Sequence, residues 1–159
     1  MTQRNLILLA TLGSGVLLLG AFSFQYFGGL APCKMCIWQR WPHGIAIALG
    51  IVTLWQSTRL IVWLGGAVVF VGAGIGFYHA GVEQKWWQGP STCTSGSIAN
   101  VAPEDLLNQI LTAPVVRCDE IPWSLIGISM AGWNALISLA LVSIWLAAAR
   151  HAKPTDRQA

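Results

Sequence analysis

Residues 60–82 read LIVWLGGAVVFVGAGIGFYHAGV, with no Asp, Glu, Lys or Arg among them. A helix needs about 20 apolar residues to cross the hydrocarbon of a bilayer. This run therefore predicts a membrane span by itself. Outward from it, residues 6–27, 41–58 and 121–149 form three more uncharged runs. The 41–58 run is the shortest and contains Pro42, and its helix reaches full length only by starting near Ile37. Composition agrees. The chain is 55% hydrophobic and 9% charged, against about 25% charged residues in soluble domains. Its net charge of +3, with no basic run, gives no footing for nucleic acid. The predicted fold class is an all-α membrane protein. It is a four-transmembrane-helix bundle forming one integral-membrane domain over 1–159, with outer loops at about 28–40 and 83–120. Arg4 and the apolar stretch after it resemble the start of a signal peptide, but the stretch is too long and further spans follow. It is read as an uncleaved helix.

Four spans put both termini on one face. Arg4, Arg59, Arg150, Lys153 and Arg157 lie there, against Lys34, Arg40, Lys85 and Arg117 on the other. The positive-inside rule thus favours cytoplasmic termini by a narrow margin. The cysteines weigh more. Cys33 and Cys36 follow the first span, and Cys93 and Cys118 follow the third, so all four reach the face opposite the termini. Disulfides persist in oxidising compartments. That face is placed outside the cytosol, which for a bacterial inner membrane is the periplasm.

Gly72, Gly76 and Ala80 make a small-residue stripe on the third span, and Gly127 and Ala131 predict another on the fourth. Such stripes let helices approach closely in lipid. Trp38, Trp41, Trp86, Trp87 and Trp123 fall near the outer boundary, where aromatic belts form. In the long outer loop, Pro103-Glu104-Asp105 reads as a first helical turn. Leu106, Leu107, Ile110 and Leu111 then give one apolar face, and Pro114 ends it. A short amphipathic helix is expected there, lying on the membrane surface or on the end of the bundle. Gln88–Gly96 is rich in Gly, Pro, Ser and Thr, which predicts a mobile segment around Cys93.

Cysteine chemistry centres on residues 31–40, APCKMCIWQR. Four cysteines allow three pairings. A Cys33–Cys36 bond closes a tiny loop and is a poor staple, because loop-closure stabilisation grows with loop length. A Cys93–Cys118 bond closes a longer loop and can be purely structural. Four sulfurs on one face can also exchange, and exchange needs a thiolate, which arginine and a helix N-terminus favour. Cys36 and Arg40 share a helical face if the second helix starts at or before Cys36. Pro42 disfavours helical geometry in the residue before it and argues for a start at Pro42 instead. Arg40 reads blandly as an arginine snorkelling to headgroups, and functionally as the cation beside Cys36. Zinc is disfavoured, because four-Cys sites usually pair two Cys-x-x-Cys knuckles and only one is present. No metal is expected. His43 and His79 read as interfacial residues rather than haem ligands, and His151 sits in a basic tail.

These residues resemble the bacterial disulfide bond formation protein B (DsbB) family over nearly the whole chain. The resemblance is carried by the four spans, by PCKMC followed by QR, by YHAGVEQKWWQGPSTC, and by RCDEIPWSLIGISMAGWN before the last helix. It implies a membrane thiol–disulfide oxidoreductase that reoxidises a soluble DsbA-like, thioredoxin-fold thiol oxidase and passes the electrons to a quinone, ubiquinone or menaquinone. By position it implies that Cys93 forms the mixed disulfide with the partner and that Cys118 resolves it and attacks at Cys33. Cys36 is the thiolate facing the quinone, and Arg40 holds the quinone. Lys34, Met35 and Gln39 are positions where the family varies. Two other readings are compatible with paired cysteines in a four-helix bundle. One is a vitamin-K-epoxide-reductase-like protein, in which the quinone-facing pair comes late in the chain rather than after the first helix. The other is a scaffold with two structural disulfides.

Overall fold

A computed structural model describes residues 1–56, 58–90 and 116–151. Four helices dominate it: α1 (Gln3–Tyr26), α2 (Lys34–Trp55), α3 (Arg59–Glu83) and α4 (Met130–Arg150). Packing of α1 on α2, α2 on α3, α3 on α4 and α4 on α1 closes them into a bundle. α1, α3 and α4 are each long and apolar enough to cross a membrane. Leu6, Ile7 and Ala10 of α1 pack with Val62 of α3 and Trp145, Ala148 and Ala149 of α4. The first and last helices therefore bring the two chain-terminal ends, the start of α1 and the end of α4, to the same end of the bundle.

Polarity is distributed inside out. Leu12 is 66% exposed and Phe70 61%, whereas Ser14, Thr53, Ser138 and His43 are buried. An apolar shell around polar side chains is stable where hydrocarbon is the solvent, because interhelical polar contacts and small residues then hold helices together. Gly76 illustrates the second device. A Cβ there would stand 3.1 Å from the Ala135 backbone nitrogen and 3.3 Å from the Ala131 carbonyl oxygen, so any side chain at this position would press on the α4 backbone. Gly72 plays the same part toward α2, since a Cβ would lie 3.0 Å from the Pro42 ring.

Three expectations change. The second helix begins at Lys34, inside the stretch expected as loop, and runs through Pro42. Cys33 caps it, with its sulfur accepting a hydrogen bond from the Cys36 backbone N–H at 3.2 Å. The last helix begins at Met130 rather than near Ile121. A hairpin of β1 (Ser124–Leu125) and β2 (Ile128–Ser129) precedes it, in the register Ser124↔Ser129 and Leu125↔Ile128. Its turn, Ile126-Gly127, has positive φ at both residues (54° and 76°), as a two-residue turn joining twisted strands requires. Gly127 is therefore a turn residue, and the small surface that α4 offers Gly76 is Ala131 and Ala135. The expected amphipathic helix at 103–113 and Cys93 lie outside the described residues.

Candidate active site

Three segments converge at the end of the bundle away from the termini: the start of α2, the end of α3 and residues 116–123. Cys33, Met35, Val82 and Cys118 form one buried cluster there, with Cys36 packed against it. Cys33 and Cys36 are free thiols, and Cys118 is in a disulfide. The Cys33 thiol donates to Cys36 Sγ at 2.9 Å. That hydrogen bond, together with burial, pushes the Cys33 thiol well above its ordinary range, so Cys33 keeps the proton of the pair. Cys36 is the third residue of α2, where exposed backbone N–H groups and the helix dipole favour a negative sulfur. The pair is thus set as thiol and thiolate.

His79, one helical turn from the end of α3, faces this pair. Its Nε2 lies 3.6 Å from Cys33 Sγ and 3.8 Å from a Glu83 carboxylate oxygen. Its Nδ1 accepts from the Gln39 side-chain amide at 2.7 Å, which leaves the hydrogen on Nε2. The same Gln39 accepts from Asn134 Nδ2 at 2.7 Å. Asn134 Oδ1 accepts from His43 Nε2 at 3.1 Å, with Ser138 Oγ 3.4 Å from that nitrogen. One hydrogen-bonded row thus joins α2, α3 and α4 and ends on the cysteines. Glu83 is held separately by the Ser129 hydroxyl, which donates to it while also accepting from the Gly132 N–H at the start of α4. His43 and His79 are each 2% exposed, so both are interior groups, in contrast to their expected place at the interface.

Beside the pair opens a cavity of about 550 Å³. Val16, Leu17, Ala21, Phe24 and Ile137 give it apolar walls, and Cys36, Arg40, Gln39, His43, His79 and Glu83 also border it. Since α2 runs unbroken through Pro42, Cys36 and Arg40 stand one turn apart on one face. Arg40 Nη1 donates to Gln25 Oε1 at 2.6 Å, Nη2 to the Ala21 carbonyl at 3.4 Å, and the guanidinium lies 4.8 Å over the Phe22 ring. Its Nε and His43 Nδ1 are buried without a partner among the described residues. A slot with apolar walls and the Arg40 cation at its border fits a flat, mostly apolar ring that carries polar oxygens, as a quinone is.

The cover of the site is held by charge. Lys85 Nζ donates to Asp119 Oδ2 at 2.6 Å and to its carbonyl oxygen at 2.7 Å, and Arg117 pairs with Asp119 at 2.8 Å. Hydrogen bonds from Arg117 and Lys85 hold the Asp119 carboxyl down at about 2. This clasp flanks Cys118 and ties it to the end of α3. Cys33, Cys36 and His79 also bring their donor atoms within 4.8 Å of one another. Two thiolates on one tetrahedral zinc stand about 3.8 Å apart at ~2.3 Å bonds. The sulfurs of Cys33 and Cys36 stand closer than that, at 2.9 Å.

Among the candidates read from the sequence, the structure brings Cys33, Cys36, Cys118 and Arg40 together, and Cys93 lies outside the described residues. Gln39, His79, Glu83 and Asn134 were missed as site residues. Their signal was present: polar side chains within or at the ends of membrane-spanning runs mark functional interiors, and His79 and Glu83 have the spacing of one helical turn.

Fold and site define a class, the quinone-dependent disulfide oxidoreductases of membranes. The chain belongs to the DsbB family, whose model, described as disulfide bond formation protein DsbB, matches residues 3–148. Relatives agree over almost their whole length. Disulfide bond formation protein B of Albidiferax ferrireducens is 31% identical over 171 aligned residues, covering 94% of this chain and 92% of that protein. That of Shewanella frigidimarina is 34% identical, covering 89% and 85%, and that of a Polaromonas species is 28% identical, covering 90% and 89%. No solved structure matches the chain.

Proposed function

We propose that the chain reoxidises a soluble, DsbA-like dithiol oxidase of the thioredoxin fold and delivers the two electrons to ubiquinone or menaquinone in the bilayer. It sits in the bacterial inner membrane with all four helices crossing, termini in the cytoplasm and cysteines on the periplasmic side. The observation that carries this reading is the free Cys33–Cys36 pair, packed on one side against the disulfide-bonded Cys118 and open on the other to the cavity that Arg40 borders.

Cys93 is the partner of Cys118. A partner thiolate attacks Cys93, breaks the Cys93–Cys118 bond and forms a mixed disulfide. The freed Cys118 thiolate attacks Cys33, and Cys36 leaves as a thiolate, which the start of α2 favours. The partner's second thiol releases the oxidised partner, Cys93 closes again on Cys118, and Cys33 and Cys36 hold the two electrons. The quinone supplies the two-electron redox chemistry. Arg40 and the apolar walls orient it beside Cys36 and exclude water.

The test mixes purified protein with a reduced thioredoxin-fold oxidase and a ubiquinone analogue and follows quinone absorbance. Turnover is expected in the wild type and is expected to vanish in Cys36→Ser and in Cys93→Ser. Full turnover in both variants would overturn the reading.

A further inference from the structure

Glu83 has no part in the exchange steps above, yet it is a carboxyl 6% exposed on the wall of the cavity that Cys36 and Arg40 border. Its neighbours can be named from each side. On α3, His79 Nε2 is 3.8 Å away. From the start of α4, the Ser129 hydroxyl donates to it. On α2, Cys36 and Arg40 border the same cavity. Arg117 and Glu120 of the covering loop border the same cavity and pair with each other at 3.4 Å. Cys33 Sγ lies 3.6 Å from the same His79 nitrogen.

Proton arithmetic gives this carboxyl a task. A pair holding one proton, Cys33 as thiol and Cys36 as thiolate, carries two electrons and one proton. Reduction of a quinone to a quinol takes two electrons and two protons. The second proton has to come from another group. Charge points to the same place. When the disulfide opens, a negative sulfur appears at the cavity that the buried Glu83 carboxyl also borders. Two like charges so placed cannot both stay ionised cheaply; among the described residues Arg40 already serves Gln25 and Ala21, and Arg117, on the same cavity, already pairs with Asp119 and Glu120.

We infer that Glu83 is a redox-linked proton carrier: it takes up a proton when the Cys33–Cys36 disulfide is reduced and releases it when the electrons leave. The balance closes. The disulfide, the Glu83 carboxylate, two electrons and two protons become the Cys33 thiol, the Cys36 thiolate and the Glu83 carboxylic acid. On reoxidation the Cys33 and Glu83 protons leave with the electron pair, and the disulfide and carboxylate return. His79, with Nε2 facing both Cys33 and Glu83, is the group through which the two proton sites communicate. The inference rests on the Cys33–Cys36 pair being redox-active.

The test needs no quinone. The equilibrium between disulfide and dithiol in quinone-free protein is titrated against a dithiol redox buffer at several pH values between about 6 and 8. The constant of the protein's own half-reaction is obtained by correcting for the two protons that the buffer dithiol releases on oxidation at each pH; each proton taken up with the electrons changes that constant tenfold per pH unit, which is 29.6 mV for a two-electron couple. The wild type is expected to show a hundredfold change per unit, and Glu83→Gln a tenfold change. Glu83→Asp, which keeps a carboxyl, should return toward the wild type. Ser129→Ala, which removes the hydrogen bond but not the carboxyl, should keep the hundredfold dependence. A tenfold dependence in the wild type overturns the inference by itself, whether or not Glu83→Gln folds, and so does a hundredfold dependence in folded Glu83→Gln. A pair that takes up no electrons at all sinks the redox reading of the cysteines instead.

Discussion

Gln39→Leu tests whether the interior row of hydrogen bonds holds the site together. Gln39 is buried and bridges three helices, with its amide nitrogen donating to His79 on α3 at 2.7 Å and its oxygen accepting from Asn134 on α4 at 2.7 Å. Leucine keeps the bulk and removes both bonds. A hydrogen bond between membrane helices contributes about 0.6 kcal/mol on average and up to about 1.7, so losing two costs roughly 1–3 kcal/mol. The upper half of that range is expected, because the stranded His79 Nδ1 and Asn134 amide lie in a packed interior and stranding a buried polar group costs about 1–3 kcal/mol by itself. Reversible unfolding in mixed micelles, followed by helix content, measures it. Asn134→Leu breaks the same row at the next link, so the double variant should be less destabilised than the two singles added. Independent sites add to within about 0.3–0.5 kcal/mol. A Gln39→Leu effect under about 0.5 kcal/mol, or additivity within that limit, refutes the reasoning.

Other consequences are checked as directly. Arg40→Met keeps an apolar filler but removes the charge from the cavity. It should raise the KM for a quinone analogue roughly 10- to 100-fold, from the ~1.5–3 kcal/mol of a hydrogen bond to a charged group. Gly76→Leu pushes a side chain against the α4 backbone and should destabilise the bundle by about 1–3 kcal/mol in the same unfolding assay. Cys33→Ala should cost α2 its cap, roughly 1 kcal/mol, and Cys33→Ser should restore most of it without restoring electron transfer. For Asp119 the carboxyl is held at about 2, against about 3.9 in an unfolded chain. Its contribution is complete above pH 4 and disappears as the pH falls through 2. The unfolding midpoint should drop over that window, and Asp119→Asn should flatten the drop.

The helix count, the bundle and the gathering of Cys33, Cys36, Cys118 and Arg40 were legible because uncharged runs and their order decide where loops emerge. The start of α2 was not. Helix starts are recognised by Ser, Thr, Asp or Asn caps, and here a cysteine sulfur accepts the bond that an oxygen usually takes. Pro42 pointed to a late start by a local rule that tertiary packing against Gly72 overrides. The start of α4 was hidden because SLIGIS carries no charge and reads as more span, although Gly127 with its positive φ marks a turn. The interior polar row was illegible for a different reason. Gln39, His79 and Asn134 lie on three helices, and only packing shows that their side chains meet. His43 and His79 sit near span ends, where sequence position alone suggests the interface, yet rotation about the helix axis turns both inward.

The central claim is that the Cys33–Cys36 pair hands two electrons to a quinone in the adjoining cavity. Its most direct test is a single turnover. Protein with the Cys33–Cys36 pair reduced and Cys118 in its disulfide is mixed with one equivalent of a ubiquinone analogue, without a soluble partner. Quinone absorbance and alkylatable thiols are followed together. One quinone lost for every two thiols, at matching rates, with no reaction in Cys36→Ser, is the predicted result. Quinone left unreduced while both thiols persist, or reduced equally fast by Cys36→Ser, would contradict it.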